Sequence, residues 1–564
     1  MVFWYIVVVG LVSSIWLLAL KLKGKNLSMT ATRKGTHLGE HQWSPIKDNS
    51  LPVCKFCSGV IGGWFGLNGV QCKVCQISSH MYCSRHTKGC KPVSNKALKH
   101  HWVEVYLPPD STCYKCGMLC GTVYEVPSLT CTWCHFSYHK NCMQYASEVC
   151  NLGNRSVVPP TSVSLDSLKI TELEPSVRPL VVIINPKSGG QAGEMALRAF
   201  YWLLNPIQVV NLMQDGLDRL KYFEGVKNLR VLVAGGDGTV SRVLSKFYDE
   251  HSNQAVPPIG IFPLGTGNDL SYVLNWGKGM SSRESKNFES MKSKAEKTLK
   301  ELSVAHISFL DRWSVCLHNR SIKKSQIMTN YVGLGLDAKI AHDFHSLRES
   351  RPYLFKSRSG NRFIYSQLGG RQIFQRACKD FAGRVNLKCD NKRVKLPYLE
   401  GILIMNISSY SSGIDMWGVD EEDCLSESSC GESWTPKKNK QTKPSKQDGV
   451  LEVVGIKSIL HLGECQVGLS KAVRVAQGRK LTLEIQGKEE VPLHIDGEPE
   501  IVQGPLKVNI EVKDQVVMLS KTVEKYQRVA KKVMDVLNWA EFNNIIKQDQ
   551  KDVLLKEFAN RCNI

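Results

Sequence analysis

The chain has 564 residues, of which 42% are hydrophobic, and it carries 73 Lys and Arg against 52 Asp and Glu, a formal net charge of +21. This length predicts three or four domains, and the apolar content excludes a largely disordered protein. The excess of positive charge indicates an anionic partner, which could be a nucleic acid, a nucleotide or an acidic lipid surface.

The first predicted element is an uncharged run, Val2–Leu20. A helix of these 19 residues would be about as long as the ~30 Å hydrocarbon core is thick. No positive charge precedes it and no small-residue cleavage site follows, so it is not typical of a signal peptide. Lys21, Lys23 and Lys25 favour contact with anionic lipid and a cytoplasmic remainder. We expect residues 1–25 to be a membrane anchor, spanning or re-entrant, at the endoplasmic reticulum or plasma membrane.

A repeated cysteine and histidine pattern follows. Thirteen of the 20 cysteines lie between Cys54 and Cys150, mostly in C-x-x-C pairs, which indicates metal ligands in a reducing compartment rather than disulfides. Two copies, 41–90 and 100–150, each supply eight ligands, enough for two closed Cys3His sites, hence four structural Zn2+. The ligands are His41, Cys54, Cys57, Cys72, Cys75, His80, Cys83 and Cys90, then His100, Cys113, Cys116, Cys131, Cys134, His139, Cys142 and Cys150. Cys120 fits no ligand position and is expected to be a buried side chain.

A linker rich in Ser, Pro and Val is predicted at 151–178, followed by a region with α/β character at 179–303. Three apolar strands, at 180–184, 229–234 and 259–262, each run into a glycine-containing loop and then a helix. Strands separated by helices predict a parallel sheet with its loops at the carboxyl edge, where ligands bind.

The three loops combine residue types that suit a phosphate. Glycines let backbone N–H groups and helix N-termini approach a charged ligand closely. Asp237 would face a phosphate only through a divalent cation, or would act by accepting a proton. The P-loop signature is absent, and G-x-G-x-x-A at 333–338 is read as a turn that carries Asp337. The candidate nucleotide-binding residues are Asn185, Lys187, Ser188, Gly189, Gly190, Gly235, Gly236, Asp237, Gly238, Thr239, Gly265, Thr266, Gly267, Asn268 and Asp269.

The remainder has a different pattern. Alternating polarity predicts a mainly β region at 304–523, interrupted at 418–449 by an insertion that is acidic, then basic, and is expected to be disordered. Residues 524–564 are expected to be helical.

Two sets of motifs resemble known families. The cysteine and histidine spacing is similar to the C1 family, the lipid-binding fold of protein kinase C and diacylglycerol kinases. GGDGT at 235–239 with PLGTGND at 263–269 resembles the diacylglycerol kinase catalytic domain. NYVGLGLDA (330–338), DGVLEVVG (448–455) and HIDGEP (494–499) resemble the accessory half of the same kinases. An apolar N-terminus followed by two C1 modules is most similar to the epsilon type.

The C1 resemblance implies interleaved ligand sets: Cys54, Cys57, His80 and Cys83; His41, Cys72, Cys75 and Cys90; Cys113, Cys116, His139 and Cys142; and His100, Cys131, Cys134 and Cys150. Two departures leave lipid binding by these modules open. The first copy has six residues, not seven, before its last cysteine, and neither copy keeps Gln-Gly before the third one. Trp64-Phe65 could insert into a bilayer or cover the small core.

The kinase resemblance implies transfer of the ATP γ-phosphoryl group to diacylglycerol in the bilayer, with Mg2+, giving phosphatidic acid. Asp496 is the first candidate for the base, and Glu498 would orient it or hold metal. Asp237 is the rival base and otherwise lies near Mg2+, while Asp337 is a weaker candidate for the metal network. The epsilon type implies a preference for arachidonoyl-containing substrate.

Other functions are weighed beside this one. A sphingosine- or ceramide-type lipid kinase and a catalytically inactive C1 membrane adaptor both remain open. A nucleic-acid-binding zinc protein fits poorly, because the zinc pattern lacks a basic recognition helix. Anionic membrane lipids are expected partners, whereas no obligate protein partner is inferred.

Overall fold

The computed structural model describes most of residues 39–522 and short pieces of 533–554; the larger stretches outside the described residues are 1–38, 47–53, 62–68, 106–110, 121–127, 352–377, 419–442, 523–532 and 555–564. The predicted anchor, Trp64-Phe65 and most of the predicted 418–449 insertion therefore lie outside them, as does much of the predicted C-terminal helical segment. Among the described residues, no helix has both the length and the apolar character needed to cross a membrane.

Each zinc module contains a small antiparallel sheet. In the first, β1 (Trp43–Pro45), β2 (Gly69–Cys72) and β3 (Ser78–His80) lie in that order. In the second, the order is β4 (Trp102–Val105), β5 (Ser128–Cys131) and β6 (Ser137–Tyr138). Trp43 pairs with Cys72 and Trp102 with Cys131, so the two modules share one register. The repeat seen in the sequence is therefore a repeat of structure.

The α/β region forms the parallel sheet that the sequence predicts. Its strands β7 (Leu180–Ile184), β8 (Val209–Asn211), β9 (Arg230–Gly235) and β10 (Ile259–Pro263) lie in the order β10-β9-β7-β8. Nearly all their residues are buried, as expected for Val- and Ile-rich strands covered on both faces. The helices are α1 (Ala192–Leu203), α2 (Asp237–Glu250), α3 (Asp269–Val273) and α4 (Phe288–Ser303).

The parallel sheet does not end at the predicted domain boundary. It continues through β22 (Leu506–Ser520), β19 (Lys480–Ile485), β14 (Val385–Cys389) and β15 (Lys392–Val394). Met518 of β22 pairs in parallel with Ile259 of β10. Strand β22 also pairs antiparallel with β19 and with β11 (His306–His318). Strand β11 in turn pairs with β12 (Lys323–Met328). The regions 179–303 and 304–523 thus share one ten-stranded sheet.

A second, six-stranded sheet carries the rest of the mainly β region. Its order is β18 (Val473–Gly478), β17 (Leu451–Ile456), β16 (Gly401–Met405), β13 (Tyr331–Gly335), β20 (Glu490–Ile495) and β21 (Glu498–Gln503). Among its described residues this half has two helices, α5 (Leu336–Ser350) and α6 (Ile459–Gln466). Short 3-10 turns lie at Cys83–His86, Lys140–Tyr145, Pro160–Ser162, Pro206–Gln208, Asp218–Phe223, Glu284–Lys286 and Phe381–Arg384.

The segment predicted as a linker, 151–178, is packed rather than extended where the structure describes it. Val157 and Val158 are buried. The buried amide of Asn205 donates to the carbonyl of Val158 at 3.1 Å and to that of Val93 at 3.0 Å. Buried amide groups that bond several backbone carbonyls hold the segments on either side in place. This connection therefore fixes the second zinc module against the parallel sheet.

Candidate active site and metal centres

The predicted metal ligands converge into four groups, each of three cysteines and one histidine, with the ligand atoms of a group within 4.8 Å of one another. The grouping has the interleaving that the C1 resemblance implies. The groups are His41, Cys72, Cys75 and Cys90; Cys54, Cys57, His80 and Cys83; His100, Cys131, Cys134 and Cys150; and Cys113, Cys116, His139 and Cys142. Thiolate and imidazole donors in sets of four fit closed tetrahedral zinc.

Two of the four ligand histidines are oriented by contacts outside these groups. His80 and His139 direct Nδ1 at cysteine sulfurs, while their Nε2 atoms bond the carbonyls of Val60 and Leu119 at 3.2 and 3.0 Å. Such partners fix the ring and the tautomer of a metal ligand. Cys120 lies outside every group and is buried, as predicted.

The three glycine loops pack directly on one another at the carboxyl edge of the parallel sheet. A Cβ added to Gly265 would lie 2.6 Å from Cα of Gly236, and one added to Gly189 would lie 2.3 Å from the carbonyl oxygen of Leu264. Gly189 also has a φ of +64°. No other residue type fits such spacing, so these glycines are required by the contact between loops.

Polar side chains brace the loops from within. Asn185 donates from Nδ2 to Oγ1 of Thr239 at 3.2 Å, which ties the first loop to the second. Asn268, at a φ of +56°, donates to the carbonyls of Gly265 and Lys278 at 2.8 and 3.0 Å. Both amides are used within the protein, so their role is to shape the loops. Lys187 is exposed at the rim, where its charge is open to an anion.

Asp237 lies at the start of α2 and accepts hydrogen bonds from the first amides of α3. Its Oδ2 accepts from the backbone N–H of Asp269 at 3.1 Å, and its Oδ1 from that of Leu270 at 3.2 Å. Burial, reinforced by the neighbouring charge of Asp269, raises the pKa of Asp237 to about 7. A site that concentrates negative charge in this way favours a bound cation.

Asp269 is buried, and its carboxylate is held by residues from the mainly β region. Oδ1 accepts from the hydroxyl of Ser409 and the backbone N–H of Ser412, both at 2.7 Å. Oδ2 accepts from the hydroxyl of Tyr331 at 3.1 Å. Burial raises the pKa of Asp269 despite these bonds. Its carboxylate therefore joins the third glycine loop to the neighbouring half of the protein.

Asp496 sits in the turn between β20 and β21, with a φ of +50°. Its carboxylate accepts the backbone N–H groups of Thr329, Asn330 and Tyr331 at 2.8, 2.8 and 3.1 Å, and the Thr329 hydroxyl at 2.8 Å. Burial raises the pKa of Asp496 against the opposing effect of these donors. A carboxylate has about four lone-pair sites, so these donors fill it.

Glu498 extends this turn over the second glycine loop. The residue is exposed, and a Cβ added to Gly238 would lie 3.6 Å from its Oε1. The structure therefore brings the predicted Asp496 and Glu498 to the loops that contain Gly238 and Asp237.

A serine-rich loop at 409–413 was not identified from the sequence. Three consecutive residues, Ser411, Ser412 and Gly413, have positive φ. Ser412 also donates from Oγ to the carbonyls of Gly267 and Thr266, at 3.0 and 3.2 Å. Ser-Ser-Gly after an apolar strand is a turn signal, but nothing local shows that the turn holds a loop far away in sequence. We name residues 409–413 the serine loop.

Asp337 is buried and bonded within the mainly β region. It lies in the first turn of α5, buried, with Oδ2 at 2.7 Å from Nε2 of His494 and Oδ1 accepting the hydroxyl of Tyr410. Gly335, at a φ of +83°, makes the turn into this helix, so the G-x-G-x-x-A stretch is a strand-to-helix turn as interpreted. Through the Tyr410 hydroxyl, Asp337 anchors the serine loop. The assignment of Asp337 to a metal network stays a prediction.

Family models match three parts of the chain: the diacylglycerol kinase catalytic domain at 179–305, the diacylglycerol kinase accessory domain at 327–499, and the phorbol ester/diacylglycerol binding (C1) domain at 100–153. The catalytic match covers the three glycine loops, and the accessory match covers the serine loop and Asp496. The C1 match covers the second zinc module.

Similar proteins are found among plants and animals. Diacylglycerol kinase 2 of Arabidopsis thaliana is 31% identical over 87% of this chain and 84% of its own length. "Probable diacylglycerol kinase 3" of Caenorhabditis elegans is 32% identical over 85% of this chain. Mouse diacylglycerol kinase theta is 35% identical over 62%. The chain spans 64% of the C. elegans relative and 35% of the mouse one.

Among solved structures, a Bacillus anthracis protein assigned as a diacylglycerol kinase is 18% identical, with a TM-score of 0.36 over 61% of this chain and 97% of its own. The Arabidopsis match is nearly full length on both sides, and both halves of the kinase domain are present with their loops in contact. The chain therefore belongs to the diacylglycerol kinase family, and it carries the catalytic domain of that family's ATP-dependent kinases.

Proposed function

We propose that the chain transfers the γ-phosphoryl group of ATP to the free hydroxyl of 1,2-diacylglycerol and so makes phosphatidic acid. The proposal rests on one observation, the place where the glycine loops meet the turn of Asp496. Three close-packed glycine loops lie beside the turn of Asp496 and Glu498, and the half-buried Asp237 of the second loop has its pKa raised to about 7. Phosphoryl transfer needs phosphate-binding N–H groups, a cation site and a proton acceptor at one place.

The contacts suggest a separate task for each carboxylate. Asp237 uses one hydrogen bond on each oxygen, so it keeps lone pairs for Mg2+, which favours one or two carboxylates together with substrate phosphates. When bound, Mg2+ supplies positive charge to the phosphates. The loop N–H groups and the start of α2 would hold ATP. Glu498 would approach the bound phosphates from the accessory half.

Asp496 can act as base if the substrate hydroxyl replaces one of its present donors. The Thr329 hydroxyl, at 2.8 Å from Oδ2, is an O–H group like that of the substrate, so the exchange keeps the carboxylate satisfied. In the reaction the substrate oxygen forms a bond to the γ-phosphorus while the bond from that phosphorus to the β–γ bridging oxygen breaks. ADP leaves, and the hydroxyl proton passes to Asp496.

The activity is tested with purified protein, Mg-ATP and diacylglycerol in mixed micelles, with phosphatidic acid as the expected product. Asp237→Asn should raise the Mg2+ concentration needed for half-maximal rate by about tenfold or more. Asp496→Asn should lower kcat by about 10²-fold or more and leave the Mg2+ requirement unchanged. Sphingosine or ceramide as the better substrate would assign a different lipid kinase, and nucleotide binding without turnover on any lipid would indicate an adaptor.

Thr329→Val separates the two candidate bases. The variant removes one donor from Asp496 and leaves a lone pair free. If Asp496 is the base, turnover should be retained or raised, because the substrate hydroxyl no longer competes with Thr329. A loss as large as that of Asp496→Asn would instead assign Asp496 to holding the turn and transfer the role of base to Asp237.

We also propose that residues 1–25 anchor the enzyme to the endoplasmic reticulum or plasma membrane with the catalytic part on the cytoplasmic side, and that the chain is of the epsilon type with a preference for arachidonoyl chains. The support is the uncharged run Val2–Leu20 with its basic flank, and the order of the C1 and kinase domains. Alkaline extraction of membranes from cells that express the full chain, and a rate comparison across a panel of acyl chains, test these points separately. Release by alkali, or equal rates on all acyl chains, would contradict them.

A further inference from the structure

Lys91 is a buried cation at the end of the first zinc module. Its side chain is 0% exposed, and its Nζ donates to the carbonyls of Trp202, Leu204 and Tyr201 at 2.7, 2.8 and 3.3 Å. The same Nζ lies 4.5 Å from the centre of the Trp133 indole ring, which belongs to the second module. Burying a charge is costly unless it is well bonded. Here the charge is matched by the negative end of α1 and the face of an aromatic ring.

The outer face of α1 lies along both zinc modules. Near its start, Glu194 forms an ion pair with Lys73 at 2.5 Å. One turn later, Arg198 donates from Nη2 to Oε1 of Gln76 at 2.8 Å and also to Gln71. Another turn later, the ring of Trp202 lies 5.4 Å from that of His135 in the second module. Positions 194, 198 and 202 lie on one side of a helix, so the zinc modules contact α1 along its whole length.

The N-terminal end of α1 packs tightly against the first glycine loop. A Cβ added to Gly193 would lie 2.1 Å from the carbonyl oxygen of Asn185 and 2.9 Å from Pro186. Gly189 is packed just as closely on Leu264 of the third loop. A shift of the helix is therefore passed on to Asn185–Gly190, since packed interiors do not deform smoothly.

We propose that the zinc modules position the phosphate-binding loop, with Lys91 as the positioning residue that fixes the far end of α1. The modules are then part of the ATP site, in addition to any role toward lipid. The proposal rests on the proposed function only in taking the glycine loops as the place where ATP binds.

The test compares Lys91→Met with Lys96→Met in the full chain. Methionine keeps the length of the buried stem and removes the charge, and Lys96 is an exposed lysine of the same segment. Nucleotide affinity is measured with a fluorescent ATP analogue, and turnover with dioctanoylglycerol in detergent micelles, where membrane recruitment does not contribute. Lys91→Met should weaken nucleotide binding about tenfold and change the KM for dioctanoylglycerol less than about twofold, whereas Lys96→Met should match the native chain.

A folded Lys91→Met protein with native nucleotide affinity would overturn the proposal. If thermal unfolding shows that this variant does not fold, the half-buried ion pair of Lys73 and Glu194 decides the question. Lys73→Glu and Glu194→Lys should each weaken nucleotide binding about two- to threefold, and the double exchange should restore it; unchanged single variants would also overturn the proposal. If the native chain binds nucleotide but does not phosphorylate diacylglycerol, only the proposed function is contradicted. The nucleotide affinities of the variants would still test whether the zinc modules position the phosphate-binding loop.

Discussion

At the scale of single residues, three aspartates lie near the glycine loops, and each accepts hydrogen bonds from a different set of donors. Asp237 accepts two backbone amides, Asp269 accepts hydroxyls and amides from the serine loop and Tyr331, and Asp496 accepts four donors. The sequence could nominate Asp237 and Asp496 because each lies in a recognisable motif. It could not assign their tasks, since the donors lie as far as 167 positions away along the chain.

The raised pKa of Asp237 predicts a pH dependence. Below a pKa of about 7 the carboxyl is mostly protonated and binds Mg2+ poorly, so kcat/KM at limiting Mg2+ should fall about tenfold per pH unit as pH drops below 7. In the metal-free protein the same raised pKa contributes stability at acid pH that is lost as pH rises through 7. Rates at several Mg2+ concentrations from pH 5.5 to 8.5 measure the effect.

The control for this pH profile is Asp237→Asn, whose residual activity should not show the same break. Saturating Mg2+ should move the native break to lower pH, because the metal competes with the proton. A native break that stays at one pH whatever the Mg2+ concentration would assign the titration to another group.

At the scale of elements, local pattern and long-range contact differ in how far they can be predicted. The strand predicted at 180–184 matches β7, and those predicted at 229–234 and 259–262 match β9 and β10 to within a residue at each end. Apolar runs bounded by glycine carry that information. The serine loop was missed because its function depends on reaching Asp269, 140 positions earlier in the chain.

The serine loop should be sensitive to the loss of one hydroxyl. Tyr410→Phe removes the bond from the loop to Asp337 and leaves the ring packed against Tyr331, whose centre is 5.4 Å away. We expect the free energy of unfolding to fall by about 1–3 kcal/mol, as for a hydrogen bond to a charged group. We also expect kcat/KM for ATP to fall about tenfold, because Ser409 and Ser412 lose their placement on Asp269. Chemical denaturation and steady-state kinetics measure the two effects.

Tyr398→Phe is the matched control, since Tyr398 is 54% exposed. It should leave both quantities close to native. If Tyr410→Phe lowered stability but left kcat/KM for ATP unchanged, the serine loop would be a packing element without influence on the nucleotide loops.

At the scale of the whole molecule, the zinc modules share a continuous apolar interior with the parallel sheet, while most of the accessory half packs around a second cluster. Buried residues of the modules, such as Cys72 and Trp133, belong to the same apolar cluster as Leu180 and Val231 of the parallel sheet. The ligand spacing predicts each zinc module, but it does not predict that the modules pack against the parallel sheet. Ligand spacing is a local pattern, whereas the contact of Lys91 with the end of α1 joins positions 111 apart.

Metal content provides a whole-molecule prediction. The four ligand groups should give four zinc ions per chain, and Cys116→Ser should lose one, because a closed site requires all its ligands. Cys120→Ser should keep four, since Cys120 belongs to no group although it is only four residues away. Mass-spectrometric metal analysis of the purified proteins distinguishes the two variants. Equal zinc in both would contradict the assignment of Cys116 as a ligand.

Strand β22 has a consequence for synthesis of the protein. It lies beside β10, yet it is made long after it, and the accessory match itself ends at residue 499, before β22 begins. At ribosomal speeds of about 5–20 residues per second, the roughly 250 intervening residues take on the order of ten to fifty seconds. During that time the nascent sheet has an open edge, which is a template for unwanted pairing unless a chaperone covers it. The strand that extends the parallel sheet beyond β10 thus leaves the ribosome only after the whole matched accessory domain.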